Sequence, residues 1–182
     1  MKNLIRFSLI FILIGAGLSV GVSCADENDC SLSGRPMMYC TLRTIDEITD
    51  RAINDTLDSL TITALGTDSI ILNNEKNVNK LMLPLRYTSD TTVFIFHYNL
   101  QVANDVDTLY IIQENISYFQ SMECGYMMKQ NILKARFGNP RKTALQEKID
   151  SLHIQNKEAN TNAIENLQIF YRYRDRTPSS FN

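Results

Sequence analysis

The sequence is short of the residues and motifs from which most enzymes build their sites. It has two histidines, no tryptophan and only seven glycines among 182 residues. The motifs that mark serine hydrolases, zinc proteases, thiol oxidoreductases, nucleotide-binding enzymes and EF-hand proteins are all missing. We therefore predict a non-enzymatic protein with no catalytic residue, no metal site and no cofactor. The alternative is a hydrolase-type enzyme whose residues are assembled from separate strands, because such a site leaves no linear motif.

The few residues that carry metal-binding or acid–base chemistry are poorly placed for it. His97 lies in the hydrophobic run VFIFHYNL and His153 in DSLHIQN, and neither has further ligands at zinc-site spacing, so we interpret both as structural. Asp105 and Asp107 would offer two carboxylates to calcium, but their short segment lacks the other oxygen ligands, which favours a hairpin turn. The aromatic and basic run 170–176 would suit a carbohydrate or polyanion, although core aromatics with solvated arginines are the simpler interpretation.

The first 22 residues have the three-part pattern of a secretory signal. Lys2 and Arg6 give a positive start, and Phe7–Val22 is an uncharged hydrophobic run. The run is shorter than the roughly 20 apolar residues that a membrane-spanning helix needs, and it contains three glycines. We therefore predict a signal peptide, which the mature protein loses.

The residues after the hydrophobic run predict how the leader is removed. Cys24, after Gly21-Val22-Ser23, resembles the lipobox cysteine of bacterial lipoproteins, which is acylated with a fatty acid such as palmitate and becomes the mature N-terminus. Gly21 departs from the usual leucine of that motif. Ordinary cleavage after Ala25 is the alternative, since small residues stand at both positions that a signal peptidase reads. We predict a signal peptide over residues 1–23 and lipidation of Cys24.

An acidic tether, residues 24–34, follows the predicted cleavage site. Asp26, Glu27 and Asp29 resemble the export tag behind the lipidated cysteine of surface lipoproteins of Bacteroidota, and a solvated linker is the simpler interpretation. Without the two leader cations, 16 of the 18 basic residues remain against 20 acidic ones, a net charge of −4 that excludes a nucleic-acid partner. We predict an outer-membrane protein, held by its lipid on the periplasmic face or at the cell surface, with an unidentified protein or glycan partner.

The rest of the chain has the pattern of one all-β domain. Leu60, Ile62 and Ala64 alternate with threonines, and TVFIFHY (92–98) is apolar on both faces, as a central strand would be. Leu81, Leu83, Leu85 and Tyr87 share a face in LMLPLRY, where Pro84 predicts an edge strand or a bulge. Further segments predicted as strands are 35–43, 108–113, 126–137 and 166–173. A helical pattern occurs only at 141–148, which is too short to form a stable helix alone.

Short strands separated by polar turns predict a single antiparallel β-sandwich of immunoglobulin-like type, with about 7–9 strands. The predicted domain covers residues 35–174, and a flexible tail covers residues 175–182.

The cysteines are expected to pair in an oxidising compartment. With Cys24 lipidated, Cys30, Cys40 and Cys124 allow three single disulfide bonds. Cys40 lies on the same face of its predicted strand as apolar neighbours, so we interpret it as a buried small hydrophobe; the alternative is a free reactive thiol. Cys30 lies in the tether and Cys124 starts a strand, so we favour Cys30–Cys124. That bond closes a loop of more than ninety residues and would contribute roughly 4–5 kcal/mol.

A three-residue phrase recurs six times: Asp, then Ser or Thr, then an aliphatic residue or Thr. We interpret the phrase as the place where a turn leads into a strand, because Asp and Ser side chains form hydrogen bonds with the backbone in turns and the following residues favour strands. The phrase also matches the acceptor motif for O-glycosylation of exported proteins in Bacteroidota. The hydroxyl residues that it predicts as glycosylation sites are Thr56, Ser59, Ser69, Thr91, Thr108 and Ser151.

Four features in a fixed order resemble a family of small Bacteroidota lipoproteins of unknown function, domain-of-unknown-function family 6452. They are the lipobox cysteine with an acidic tether ending in Cys30, LDSLTITALGTDSIILNN, DTLYIIQ leading into MECGY, and IDSLHIQNKEANTNAIENLQIFY. In the family, the cysteines that match Cys30 and Cys124 recur, which implies the pairing favoured above. The family implies a compartment and a fold, and it offers no activity to carry over.

Overall fold

The computed structural model describes residues 35–46, 49–67, 69–98, 105–122, 124–138 and 148–171. These residues all belong to one compact unit, Gly34–Asn182, and they form ten β-strands. The strands are β1 Met37–Asp46, β2 Arg51–Asn54, β3 Leu60–Ala64, β4 Ile70–Glu75, β5 Lys80–Pro84, β6 Thr91–His97, β7 Val106–Ser121, β8 Gly125–Phe137, β9 Ile149–Ile154 and β10 Glu165–Tyr171. Within those ranges, no helix has the length and apolar character needed to cross a membrane.

The strands form two five-stranded sheets. The first sheet has the order β2-β1-β10-β9, with β5 also paired to β1, and the second has the order β4-β3-β6-β7-β8. β1 pairs with β5 over residues 37–41 and with β2 over residues 43–46. β1 and β10 run parallel, whereas the other paired strands are antiparallel.

Alternating residues of the strands build the core between the sheets. In β1, Met38, Cys40 and Leu42 are at most 1% exposed, and the residues between them are partly exposed. In β6, Phe94 and Phe96 are completely buried. These side chains belong to one hydrophobic cluster that includes residues of both sheets. Each fully buried large apolar side chain contributes about 1.5–3 kcal/mol to folding.

The predicted all-β sandwich is confirmed. β6 lies between β3 and β7 in the second sheet, as its two apolar faces indicated, and β5, which ends at Pro84, pairs with one strand only. The first sheet is nevertheless mixed, because β1 and β10 are parallel, and ten strands replace the predicted seven to nine. Tyr87 does not share the buried face of Leu81, Leu83 and Leu85; it is 50% exposed because the strand ends before it.

The pairing registers define two ends of the sandwich. Met37, at the start of β1, pairs with Pro84, and a short turn then leads to Thr91 at the start of β6. We call this the leading end. At the opposite end, the hydroxyl oxygens of Tyr98 and Tyr171 lie 3.3 Å apart.

Several predictions concern segments outside the described residues and stay predictions. They are the signal peptide 1–23, the tether 24–34 with Cys24 and Cys30, the helical pattern at 141–148 except its last residue, the run 172–176 and the tail 175–182.

Candidate functional site: a cleft between β4 and β5

The two sides of the sandwich are closed in different ways. On one side, β8 is joined to the segment between β9 and β10 by hydrogen bonds from the Ile132 amide to the Lys157 carbonyl (2.6 Å) and from the Ala159 amide to the Gln130 carbonyl (2.9 Å). On the other side, residues of β4 and β5 line a cavity of about 560 Å³. We call this cavity the β4–β5 cleft. It is partly open to solvent, since exposed residues of both strands lie along it.

The lining of the cleft is mainly apolar and comes from both sheets. Cys40, Leu81 and Leu83 are contributed by the first sheet, and Ile62, Ile71 and Leu72 by the second. The first four of these are at most 3% exposed, whereas Ile71 and Leu72 are partly buried against the core. A cavity of this size and character falls within the range of small-molecule sites, roughly 300–1,000 Å³ with predominantly hydrophobic walls.

The cleft exists because β4 covers the core incompletely. β4 is an edge strand, and its pairing with β3 shifts register on either side of Ile62. Such irregularities bend a strand and increase its twist. The apolar part of β4 is also short, since Asn73, Asn74 and Glu75 follow directly after Leu72. As a result, no residue of β4 is fully buried.

Charged side chains lie among the apolar lining. Glu75, Lys80 and Glu165 line the cleft. The Thr41 hydroxyl donates a hydrogen bond to Oε1 of Glu165, and the side-chain amide of Gln168 donates one to Oε2 at 2.9 Å. Both oxygens of the Glu165 carboxylate are therefore engaged, and its position is fixed by neighbours in β1 and β10.

An ion pair adds little to this arrangement. Nη2 of Arg43 lies 3.7 Å from Oε1 of Glu165, and both side chains are more than a quarter exposed. Ion pairs at such exposure contribute about 0–1 kcal/mol. The hydrogen bonds therefore do more than the ion pair to hold the carboxylate.

Cys40 lines the cleft as a buried thiol. Its side chain is 1% exposed, and it is the free cysteine among the residues described. Burial and, to a lesser extent, the Glu165 carboxylate raise the pKa of the Cys40 thiol far above its ordinary range. Because the thiolate is the nucleophile, such a thiol is unreactive in the folded state. The interpretation of Cys40 as a small buried hydrophobe is confirmed, and the reactive-thiol alternative loses its physical basis.

A second polar cluster, at the end opposite the leading end, contains the acids considered for calcium. Oδ2 of Asp107, a completely buried residue, accepts hydrogen bonds from the Tyr98 hydroxyl (3.0 Å), the Lys148 amide (2.9 Å) and the Ile149 amide (3.1 Å). We call this set the Asp107 clamp. It ties the start of β9 to β7.

The neighbours of the clamp also engage Asp105. The Lys148 ammonium lies 2.6 Å from Oδ2 of Asp105 and 4.3 Å from the centre of the Tyr98 ring. Burial, together with nearby Tyr171 and Asp107, raises the pKa of Tyr98 well above its ordinary value, so its hydroxyl stays protonated and donates to Asp107. Across the described ranges, no three His, Cys, Asp or Glu side chains are grouped to hold a metal ion. In this structure, the carboxylates of Asp105 and Asp107 accept hydrogen bonds from neighbouring residues of the protein.

The two histidines are far apart in the topology. His97 ends β6 in the second sheet, where its Nε2 lies 3.1 Å from the Thr63 hydroxyl, and burial lowers its pKa below the ordinary value. His153 lies in β9 of the first sheet, with its ring 5.5 Å from that of Phe170. Neither histidine lines the β4–β5 cleft.

The predicted glycosylation sites lie near the starts of strands or in the loops before them. Three of them, Ser59, Ser69 and Thr91, stand at or directly before the first residues of β3, β4 and β6. This agrees with a phrase that marks where a turn leads into a strand. Thr56 precedes the isolated bridge at Leu57, whereas Thr108 and Ser151 lie inside strands. Ser69 is exposed and the other five hydroxyl residues are partly buried. Their glycosylation stays a prediction.

The predicted disulfide has one end among the described residues. Cys124 lies in the turn between β7 and β8, next to Gly125, which has a positive φ of 66°. Cys124 is not among the free thiols. Its predicted partner, Cys30, is outside the described residues, so the Cys30–Cys124 pairing stays a prediction.

Sequence reasoning did not find the cleft. Its walls come from residues far apart in the chain, such as Cys40, Ile62, Leu72 and Leu83, and nothing local marks them as neighbours. The clamp did leave a signal, because Asp107 has the same period-two phase as the buried Leu109 and Ile111. An acid in phase with core residues indicates a buried, hydrogen-bonded carboxylate.

Comparison with known proteins identifies a family. A family model described as a family of unknown function, DUF6452, matches residues 59–171. This range contains β3 to β10 and therefore all of the second sheet. No curated protein and no solved structure matches the chain.

Proposed function

The chain belongs to the family of unknown function DUF6452, and since the family supplies no activity to carry over, we propose a function from the geometry. The protein is a lipid-anchored β-sandwich of the outer membrane that acts as a binding module. Its β4–β5 cleft takes a small, largely apolar molecule.

The observation that carries the proposal is the cleft itself. A volume of about 560 Å³ is large enough for a small ligand, and apolar residues of both sheets line it. Glu75, Lys80 and Glu165 supply charged groups that fix the orientation of a ligand. The ligand class that fits is an apolar body with a polar group directed at these residues.

The chemistry of the lining supports binding over catalysis. Cys40, a potential nucleophile in the lining, keeps its proton because burial raises its pKa. Glu165 already accepts hydrogen bonds on both carboxylate oxygens, from Thr41 and Gln168. A hydrolase needs an activated nucleophile or a general base with access to substrate. Neither Cys40 nor Glu165 therefore supports the alternative of a hydrolase-type enzyme.

The cellular location in the proposal rests on the sequence. The signal-like leader, the lipobox-like Cys24 and the acidic tether support a lipid anchor, and their resemblance to exported proteins of Bacteroidota supports the outer membrane. An unidentified protein or glycan of the envelope remains the partner proposed for the exposed surface.

Binding of the neutral apolar dye Nile red tests the cleft directly. We expect saturable binding with a fluorescence increase, because the dye exchanges water for the apolar lining. The blocking variant is Leu72→Arg, which places a long charged side chain on the wall of the cleft. The matched control is Leu133→Arg on β8, where the leucine is 55% exposed and lies outside the cleft.

The proposal predicts about a tenfold loss of dye affinity in Leu72→Arg, equivalent to 1.4 kcal/mol, and an unchanged affinity in Leu133→Arg. Equal affinities in wild type and Leu72→Arg would rule the cleft out as the binding site. Urea unfolding of each variant shows whether the fold is retained. If Leu72→Arg is unfolded, Ile71→Lys is the second blocking variant.

A further inference from the structure

The longest strands of the protein project beyond the rest of the sandwich. The pairing of β6 with β7 ends at Thr91–Ile112, whereas β7 and β8 stay paired as far as Ser121–Gly125. The segment between β9 and β10 still reaches β8 at Gln130, the partner of Asn115, through the hydrogen bond from the Ala159 amide. Beyond that pair, at about 3.3 Å per residue, the two strands extend about 20 Å. We call residues 114–130 the hairpin arm.

The distal half of the arm is apolar and exposed. Tyr118 and Phe119 are 43% and 52% exposed, and Met122 and Tyr126 are 88% and 75% exposed. Successive residues of a strand point to opposite faces, so Tyr118 and Phe119 leave neither face of the arm polar. From residue 115 to residue 128 the sequence has one charged residue, Glu123. Apolar patches of this kind mark contacts with a membrane or another protein.

The base of the arm is held rigidly. Gln113 is 1% exposed, and its side-chain carbonyl accepts a hydrogen bond from the Thr92 hydroxyl at 2.9 Å. The side-chain amide of Asn115 donates a hydrogen bond to the Ser89 carbonyl at 2.9 Å. The side-chain amide of Gln130, a residue that is 2% exposed, donates one to the side-chain carbonyl of Asn115 at 3.0 Å. Because these groups are satisfied inside the structure, the direction of the arm relative to the sandwich is fixed.

The arm projects from the leading end, where the chain enters β1. Met37 pairs with Pro84 at this end, and the guanidinium of Arg35 lies 5.3 Å from the centre of the Tyr87 ring. The turn that contains Tyr87 leads into Thr91, beyond which β7 runs out into the arm. The described chain therefore begins, at Arg35, at the same end of the domain as the arm.

The extended tether is longer than the projecting part of the arm. Under the proposed function, on which this inference rests, Cys24 carries the lipid, and ten residues lie between Cys24 and Arg35. A chain of that length spans at most about 36–40 Å when extended, against about 20 Å for the projecting part of the arm. The tether thus allows the sandwich to stand off from the bilayer at the distance at which the arm tip touches it.

We propose that the tip of the hairpin arm, around Tyr118, Phe119, Met122 and Tyr126, inserts into the interfacial region of the bilayer that carries the anchor. Tyrosine suits this region because its ring is apolar and its hydroxyl remains hydrated. The single charge in the tip fits insertion to the depth of the headgroups. The predicted bond between Cys30 and Cys124 would reinforce the geometry, because it leaves only five residues between the lipidated Cys24 and Cys30.

The absence of tryptophan allows a clean fluorescence test. Phe119→Trp places a single reporter at the tip, and Tyr87→Trp places one at the body, where the native ring has a similar exposure of 50%. The processed protein, purified from membranes, is reconstituted into phosphatidylcholine vesicles with or without bromine on the acyl chains. Tyr126→Trp replaces the tip reporter if Phe119→Trp alters the urea midpoint.

We expect a blue-shifted emission and about a twofold quenching by brominated lipid for Phe119→Trp, as for a side chain at the boundary of headgroups and acyl chains. Tyr87→Trp should show neither effect. Water-like emission of the tip reporter, without quenching, overturns the proposal. A blue shift that is already present without lipid, together with dimer formation in sedimentation, overturns it in favour of a second copy as the occupant.

A second experiment tests the insertion of the tip independently of the proposed lipidation of Cys24. Chains that begin at Ala25 behind a histidine tag are held on vesicles by nickel-chelating lipid, so the tether starts at the same place whatever its natural modification. Quenching of the tip reporter there supports the insertion of the tip even if Cys24 proves unmodified. Absence of quenching there refutes it even if Cys24 proves acylated.

Discussion

Replacement of Asp107 by asparagine tests the clamp that ties β9 to β7. The variant keeps the shape of the side chain and an acceptor oxygen but removes the charge from a completely buried carboxylate. A hydrogen bond to a charged group contributes about 1.5–3 kcal/mol, against about 0.5–1.5 for a neutral pair. The loss is therefore about 1 kcal/mol for each of three hydrogen bonds, from Tyr98, Lys148 and Ile149. We expect Asp107→Asn to lower the free energy of unfolding by about 3 kcal/mol.

Urea unfolding followed by circular dichroism measures this loss. The matched control is Asp58→Asn, the same chemical change at an exposed residue, for which surface substitutions predict a change within about 0.5 kcal/mol. A domain of this size is stable by roughly 5–15 kcal/mol, so Asp107→Asn should still fold. If the two variants unfold at the same urea concentration with the same slope, the clamp does not contribute as the structure indicates.

Three further predictions concern pH, thiol reactivity and a buried amide. Burial lowers the pKa of His97 in the folded state. The protein is therefore fully stable above the pKa that His97 has in the unfolded chain, and it loses stability as the pH falls towards the folded pKa. Between about pH 7.5 and 5.5 the urea midpoint should fall more for wild type than for His97→Gln, and equal falls contradict the prediction. The Cys40 thiol is buried and protonated, so native wild type and native Cys40→Ala should react equally with Ellman's reagent. A difference of one thiol should appear only in denaturant, and a difference between the native proteins contradicts the prediction. Asn166→Leu should cost about 3–5 kcal/mol in urea unfolding because it leaves the Tyr39 amide and the carbonyls of Asn156 and Glu158 without this partner; a cost no larger than that of the exposed control Asn54→Leu would refute it.

The sequence predicts those strands whose burial alternates. β1 and β6 follow this rule, because every second side chain enters the core and the pattern is local. β2 has no such pattern, since its four residues are all exposed, and it was not predicted for that reason. The parallel pairing of β1 with β10 was also missed, because pairing partners more than 120 residues apart leave no mark in either segment.

The candidate site was less predictable than the fold. The burial of Cys40 follows from its strand face, but its position beside Ile62 and Leu72 depends on how two sheets pack. Asp107 was interpreted as part of a turn, because Asp-Thr phrases mark turns elsewhere in the chain. In the structure, tertiary hydrogen bonds from Lys148 and Ile149 determine its role. Such contacts are long-range, and local propensity carries no information about them.

The mass of the mature N-terminal peptide tests the central claim, a lipid-anchored module outside the cytoplasm, most directly. The full chain is expressed in a bacterium with a lipoprotein pathway, membranes are isolated, and the digested protein is analysed by mass spectrometry. We predict a first peptide that begins at Cys24 and carries the mass of a diacylglyceryl group. A peptide that retains residues 1–23, or an unmodified N-terminus in the soluble fraction, would contradict the account.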